Sequence, residues 1–142
     1  MKTLNFYLTF AGNCEEAINF YHKIFGGEIV TKQTFGESPV PSEENWKNKI
    51  MHVHYKSDGI ELMASDAMPG QPVNAGSNIS LSLNFSDETE QNKIFSALSE
   101  GGNVIMPLED QFWGARFGMV TDKFGFHWML NCPKPQASQQ PA

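Results

Sequence analysis

The chain has 142 residues, 40 % hydrophobic and 18 % charged, which supplies a folded core without disulfide or metal staples and excludes a disordered chain. Ten Lys and Arg against sixteen Asp and Glu give a formal net charge of −6, and no two basic residues are adjacent, so neither nucleic acid nor an anionic membrane is an expected partner. No apolar run reaches the roughly 18 residues of a bilayer span, and Met1-Lys2-Thr3-Leu4-Asn5 leads straight into a strand pattern rather than a signal peptide. The expected compartment is therefore the cytoplasm, with Cys14 and Cys132 as free thiols far apart in sequence.

Leu4 to Phe10 alternates, with Leu4, Phe6, Leu8 and Phe10 on one face of a predicted strand. Asn13 is the expected N-cap of a helix, with Glu16 three residues on and Glu15 and Glu16 facing its positive end. Ala17, Tyr21 and Ile24 form the apolar stripe, flanked by Ile18, Phe20 and Phe25; Gly26-Gly27 stops the helix. Glu28 to Phe35 reads as a second strand. Lys49–Lys56 and Ile60–Ser65 then flank Asp58-Gly59, a type I′ hairpin signal.

The same order returns. Ile79 to Phe85 alternates, Asp87 can cap a helix, and Ile94, Phe95 and Leu98 make its stripe. Gly101-Gly102 stops that helix, Asn103–Leu108 is the next strand, and Ala115–Asp122 and Phe126–Asn131 form a closing hairpin around Lys123-Phe124-Gly125. Phe10 and Phe85, Phe20 and Phe95, and Gly26-Gly27 and Gly101-Gly102 all stand 75 residues apart, which marks an internal duplication. The fold class is α+β, two tandem β-α-β-β-β modules at about 1–70 and 76–132 in a single domain of residues 1–132. Their curled mixed sheets are expected to surround a shared cleft. A tail at 133–142, without apolar period, is predicted to be disordered.

With a two-residue turn, Lys56 lies opposite Glu61, His54 opposite Met63, and His52 opposite Ser65, all on one face. That face is either a solvated polar surface with a Lys56–Glu61 pair or the wall of the cleft. In the second case Glu61 is a general base or a metal ligand, and His52, His54 and Glu61 have the composition of a site for Zn, Fe or Ni. The run Gln111-Phe112-Trp113-Gly114-Ala115-Arg116-Phe117-Gly118-Met119 leaves two readings open. Trp113 and Arg116 could grip a planar or anionic ligand, or Phe112 and Trp113 could close the core while Arg116 pairs with Glu109 or Asp110. No nucleophile elbow, phosphate loop or dinucleotide fingerprint occurs.

Asn13-Cys14-Glu15-Glu16-Ala17-Ile18-Asn19-Phe20-Tyr21 with Phe25-Gly26-Gly27 resembles the opening of the glyoxalase/bleomycin-resistance (vicinal oxygen chelate, VOC) superfamily. Glu61-Leu62-Met63-Ala64-Ser65-Asp66 and Phe112-Trp113-Gly114-Ala115-Arg116-Phe117-Gly118 resemble its PhnB-like branch, whose members often carry the label 3-demethylubiquinone-9 3-methyltransferase. The resemblance covers about residues 4–132 and implies paired β-α-β-β-β modules, usually in a homodimer. It places the superfamily's four metal-ligand positions near Phe6, on Glu61, near Ser80 or Leu81, and on Met129, a set in which at most two could coordinate. The expected protein is thus a binder of a small metabolite, without cofactor or full metal site. Glu61 is its floor or catalytic carboxylate, and Trp113, Arg116, His54 and Asp66 are its ligand contacts. The alternatives are a VOC-type lyase, isomerase or dioxygenase, using Glu61 as a base or with a recruited divalent metal, and a dimeric sequestration module.

Overall fold

The computed structural model of the protein describes residues 1–39 and 41–135. The chain divides into two compact units, Met1–Asn74 and Ala75–Ala142. In the first, the order is β1 (Phe6–Phe10), α1 (Cys14–Phe25), β2 (Glu28–Thr34), β3 (Ile50–Ser57) and β4 (Ile60–Asp66), with a 3-10 turn at Glu44–Trp46. The second repeats it as β5 (Leu81–Asn84), α2 (Glu88–Ser99), β6 (Asn103–Asp110), β7 (Ala115–Thr121) and β8 (His127–Pro133). Each unit holds one four-stranded sheet, ordered β1-β4-β3-β2 and β5-β8-β7-β6, in which β1–β4 and β5–β8 are parallel and the other pairs antiparallel. This is the tandem β-α-β-β-β fold expected from the duplication.

Each helix covers one face of its own sheet. Cys14, Ala17, Ile18 and Tyr21 of α1 are buried, as are Leu8, Phe10, Val53, Tyr55, Leu62 and Ala64, and α1 packs on β3 and β4. In the second unit Ile94, Phe95 and Leu98 of α2 are buried with Val120, Trp128 and Leu130, and α2 packs on β6, β7 and β8. The paired glycines that end each helix have a steric reason. A Cβ on Gly27 would strike the Lys56 carbonyl oxygen, and one on Gly102 the Thr121 carbonyl oxygen. The chain leaving each helix therefore passes directly against the neighbouring strand, where only glycine fits.

Several local expectations are corrected. Asn13 holds the N-cap position of α1, but its side chain makes no capping bond. Asp66, at the end of β4, does that work instead: its Oδ1 accepts from the amides of Gly12 (2.8 Å) and Cys14 (3.0 Å). Asp87 does cap α2, accepting from the Thr89 amide at 3.0 Å. The Asp58-Gly59 loop has two residues as expected, with Ser57 paired to Ile60, but only Gly59 has positive φ (76°), so the turn is not type I′. Leu4 lies outside β1 and is 92 % exposed. β8 runs to Pro133, one residue past the predicted end of the domain, and Lys134 Nζ meets Glu88 at 2.7 Å and Asp110 at 2.9 Å. Residues 136–142 of the expected tail lie outside the described residues. Among the described residues, no helix is long and apolar enough to cross a membrane.

Candidate functional site

The face of the first sheet turned away from α1 carries the polar side chains. The register pairs Lys56 with Glu61 and His54 with Met63, as the two-residue turn requires, so His52, His54, Lys56, Glu61, Met63 and Ser65 share this open face. On the edge strand β1, Tyr7 pairs with Met63 and Thr9 with Ser65, which brings both to the same side.

Two hydrogen-bonded pairs stand on this face. His54 Nε2 lies 2.8 Å from Glu61 Oε2, with the two side chains 25 % and 42 % exposed. The Tyr7 hydroxyl lies 3.0 Å from His52 Nδ1, the rings tilted at 35° with centroids 5.7 Å apart. The Tyr7–His52 bond reaches across β4 from β1 to β3, the His54–Glu61 bond is a diagonal between the adjacent strands β3 and β4, and the two histidines are two residues apart on β3. A hydrogen-bonded pair this exposed contributes on the order of 0–1 kcal/mol to folding. What the pairs supply is an array of directed donors and acceptors: a carboxylate that accepts, a phenol and two imidazoles that can do either. Tyr7 was not among the residues singled out in sequence. The signal was there, since Tyr7 and Thr9 occupy the alternate positions of the Leu8/Phe10 pattern.

Asp66 is not on this face. It is buried on the helix side, where its second oxygen accepts from the Ile50 amide (2.9 Å), so three backbone donors occupy the carboxylate. It ties together the start of α1, the start of β3 and the loop before Cys14.

Trp113 and Arg116 part company in the second unit. Arg116 pairs with Cys132, which is buried on the helix side, and its Nη1 donates to Gln91 Oε1 at 3.2 Å. Gln91, fully buried, returns two bonds from Nε2 to the carbonyls of Arg116 (2.9 Å) and Leu130 (3.1 Å). Asp110 stands opposite Arg116 in register but is ion-paired to Lys134. Trp113 sides with the open face, its ring edge-on to Phe117 (5.6 Å, 69°). Phe112 is 96 % exposed and Trp113 49 %, so neither closes the core.

The metal-ligand positions that the resemblance implies do not make a site for a hard or borderline ion. Phe6 pairs with Leu62 on the helix side of its sheet, Leu81 pairs with Trp128 in the same way, and Met129 pairs with Ser82 on the open face of the second sheet. Of the four positions, Glu61 and, where Ser80 takes the third, a neutral hydroxyl are the oxygen donors, and Glu61 is engaged by His54. Among the described residues, no three His, Cys, Asp or Glu side chains gather as a metal cluster. Nor do the residues fit S-adenosylmethionine at the first strand–helix junction. That loop, residues 11–13, holds one glycine, and Asp66 already takes the amides of Gly12 and Cys14.

Residues 2–131 match the family model described as 3-demethylubiquinone-9 3-methyltransferase. Protein YjdN of Escherichia coli (strain K12) is 36 % identical over 143 residues, covering 94 % of this chain and 97 % of its own. Among solved structures, protein PA1353 from Pseudomonas aeruginosa is 44 % identical with a TM-score of 0.86, covering 95 % of this chain and 100 % of that one. The PhnB protein from Bacillus cereus is 27 % identical with a TM-score of 0.79, covering 92 % of this chain and 99 % of that one.

Proposed function

Because the chain belongs to the 3-demethylubiquinone-9 3-methyltransferase family, the PhnB-like branch of the VOC superfamily, we propose that it binds a small polar metabolite on the open face of its first sheet. The observation that carries this reading is the Glu61–His54 pair with Tyr7–His52 beside it, on a sheet face that α1 leaves uncovered. These bonds stabilise the fold little, so their use lies in what else they can contact. A ligand with both a donor and an acceptor, such as a hydroxy or amino carbonyl compound, would exchange bonds with Glu61 and Tyr7 in turn. Trp113 supports the reading only as an exposed ring; Arg116, held by Gln91, is left out of it.

A metabolite screen by ligand-observed NMR, followed by titration of Glu61→Gln, tests the proposal. The variant should bind about tenfold more weakly, roughly 1.4 kcal/mol, with an unchanged melting temperature. Equal affinity in the variant removes Glu61 from the site.

One observation also favours an enzyme: a carboxylate 2.8 Å from an imidazole is the arrangement of a general base with its orienting partner. In that version Glu61 takes a proton from the ligand and His54 holds the carboxylate in place. Solvent deuterium entering the bound metabolite, and absent with Glu61→Gln, would distinguish turnover from binding. The homodimer expected from the resemblance belongs to the same proposal. The edge strands β1 and β5 and the exposed Phe6 and Ile79 are surfaces a second copy could cover, and light scattering reads the mass directly.

A further inference from the structure

The turn that joins β3 to β4 carries an aspartate unlike the other four in the chain. Asp58 is exposed, is followed by Gly59, and stands in a loop only two residues long between the paired Ser57 and Ile60. Among the described residues, neither its carboxylate nor the Gly59 amide has a hydrogen-bond partner. A Cβ built on Gly59 would meet nothing within 4 Å, so the space around that amide is open. The remaining aspartates are all held. Asp66 takes three backbone amides, Asp87 caps α2, and Asp110 is paired with Lys134. Asp122 accepts from the amides of Phe124 (2.9 Å) and Phe126 (3.1 Å) and from the Trp128 indole (2.8 Å). Each of these four is followed by a residue with a side chain.

A free carboxyl beside an unhindered amide can close a five-membered ring. The Gly59 nitrogen attacks Asp58 Cγ, a carboxyl oxygen leaves as water, and a succinimide forms. Water then opens the ring at either carbonyl. Opening at Cγ restores aspartate. Opening at the original main-chain carbonyl leaves isoaspartate, in which the chain runs through Cβ and Cγ and the former main-chain carboxyl becomes the branch. One water is released and one consumed, so no other reactant is needed.

The extra main-chain carbon enters a loop whose length sets the register of the hairpin. The β3 side is pinned against it. Ser57 Oγ donates to the Phe25 carbonyl at 2.9 Å, and Gly27 passes so close that a Cβ on it would strike the Lys56 carbonyl oxygen. The displacement therefore falls on Ile60 and Glu61. We propose that Asp58-Gly59 is a site of spontaneous isoaspartate formation, and that the modification draws Glu61 away from His54, to which it lies 2.8 Å distant in the unmodified chain. The first sheet thereby carries a chemical record of the chain's age, whatever its open face binds.

The test is incubation of the full chain at neutral pH and physiological temperature for several weeks. Isoaspartyl carboxylates are labelled with protein-isoaspartate methyltransferase and tritiated S-adenosylmethionine, and the label is mapped to peptides. In the same samples NMR follows the His54 imidazole resonance, assigned with His54→Gln. The expected result is label at Asp58 and at none of the other aspartates, rising with time, and a second His54 resonance growing in step with it. Both should be lost in Asp58→Glu, whose ring closure would need one more atom. The substitution lies on an exposed turn outside the core, so the fold should survive it. No label at Asp58, equal label at the held aspartates, label that persists in Asp58→Glu, or an unchanged His54 resonance while label accumulates each overturns the proposal. If Asp58→Glu does not fold, the peptide map of the wild-type chain decides, and absence of label at Asp58 there overturns it.

Discussion

Asp66 Oδ1 accepts the amide of Cys14 at 3.0 Å, so a carboxylate 52 residues downstream begins the first helix. The same side chain takes the amides of Gly12 and Ile50, tying the end of β4 to the start of α1 and the start of β3. Asp66→Ala would leave these backbone donors, two of them in buried surroundings, without an acceptor. Each buried orphan costs about 1–3 kcal/mol. The expected loss is about 3 kcal/mol or more in a urea unfolding curve, and a loss below 1 kcal/mol would mean that water replaces the carboxylate.

The two thiols should be chemically quiet. Cys14 is fully buried, and burial, followed by the charges of Asp66 and Glu15, holds its thiol well above the ordinary range. Cys132 is raised by burial and by Glu88 and Asp87, with Lys134 and Arg116 pulling the other way. Reaction with Ellman's reagent at pH 8 should therefore show no fast equivalent in the folded chain and two in urea. The linked effect on stability has a definite sign. The folded thiols keep their protons at a pH where unfolded ones, with an ordinary value of 9.0, ionise. Their contribution is thus fully present below that value and is lost as pH rises above it. Stability that rose between pH 9 and 10 would contradict these assignments.

Gly118 lies where β7 passes under α2. A Cβ there would meet Leu108 Cδ2 at 2.9 Å, the Met106 carbonyl at 3.0 Å and Phe95 Cε2 at 3.0 Å. Two of these are side-chain ends that could move, but the carbonyl belongs to the neighbouring strand. Gly118→Ala should cost about 1–3 kcal/mol through overpacking. A variant as stable as the wild type would show that Phe95 and Leu108 repack freely.

Most of the fold could be read along the chain because its signals are local and written twice. Alternation, the apolar helical stripes and the double glycines at a 75-residue offset each depend on near neighbours. The Asp58-Gly59 loop, by having two residues, fixed which face Glu61 shares with His54, even though its backbone is not the type I′ form. What escaped was long-range. Nothing near Asn13 announces that its capping role passes to Asp66, and nothing near Arg116 announces Gln91, 25 residues earlier on α2. Trp113 and Arg116 read as one cluster because they are three residues apart, yet Trp113 precedes β7 while Arg116 lies within it, on the helix side. Sequence proximity stops predicting direction where a loop becomes a strand.

The contacts of Gly27 with Lys56 and of Gly102 with Thr121 bear on how such a chain can change over generations. A junction that admits only hydrogen in place of a side chain cannot drift, so duplication handed both halves an equally frozen seam between helix and sheet. Variation is left to the surfaces away from that seam. There the two copies have parted: one displays phenol, imidazole and carboxylate, the other sets Met119 opposite Met129 and Thr121 opposite His127. A gene built this way can change one sheet face while the seam beneath it stays as it was.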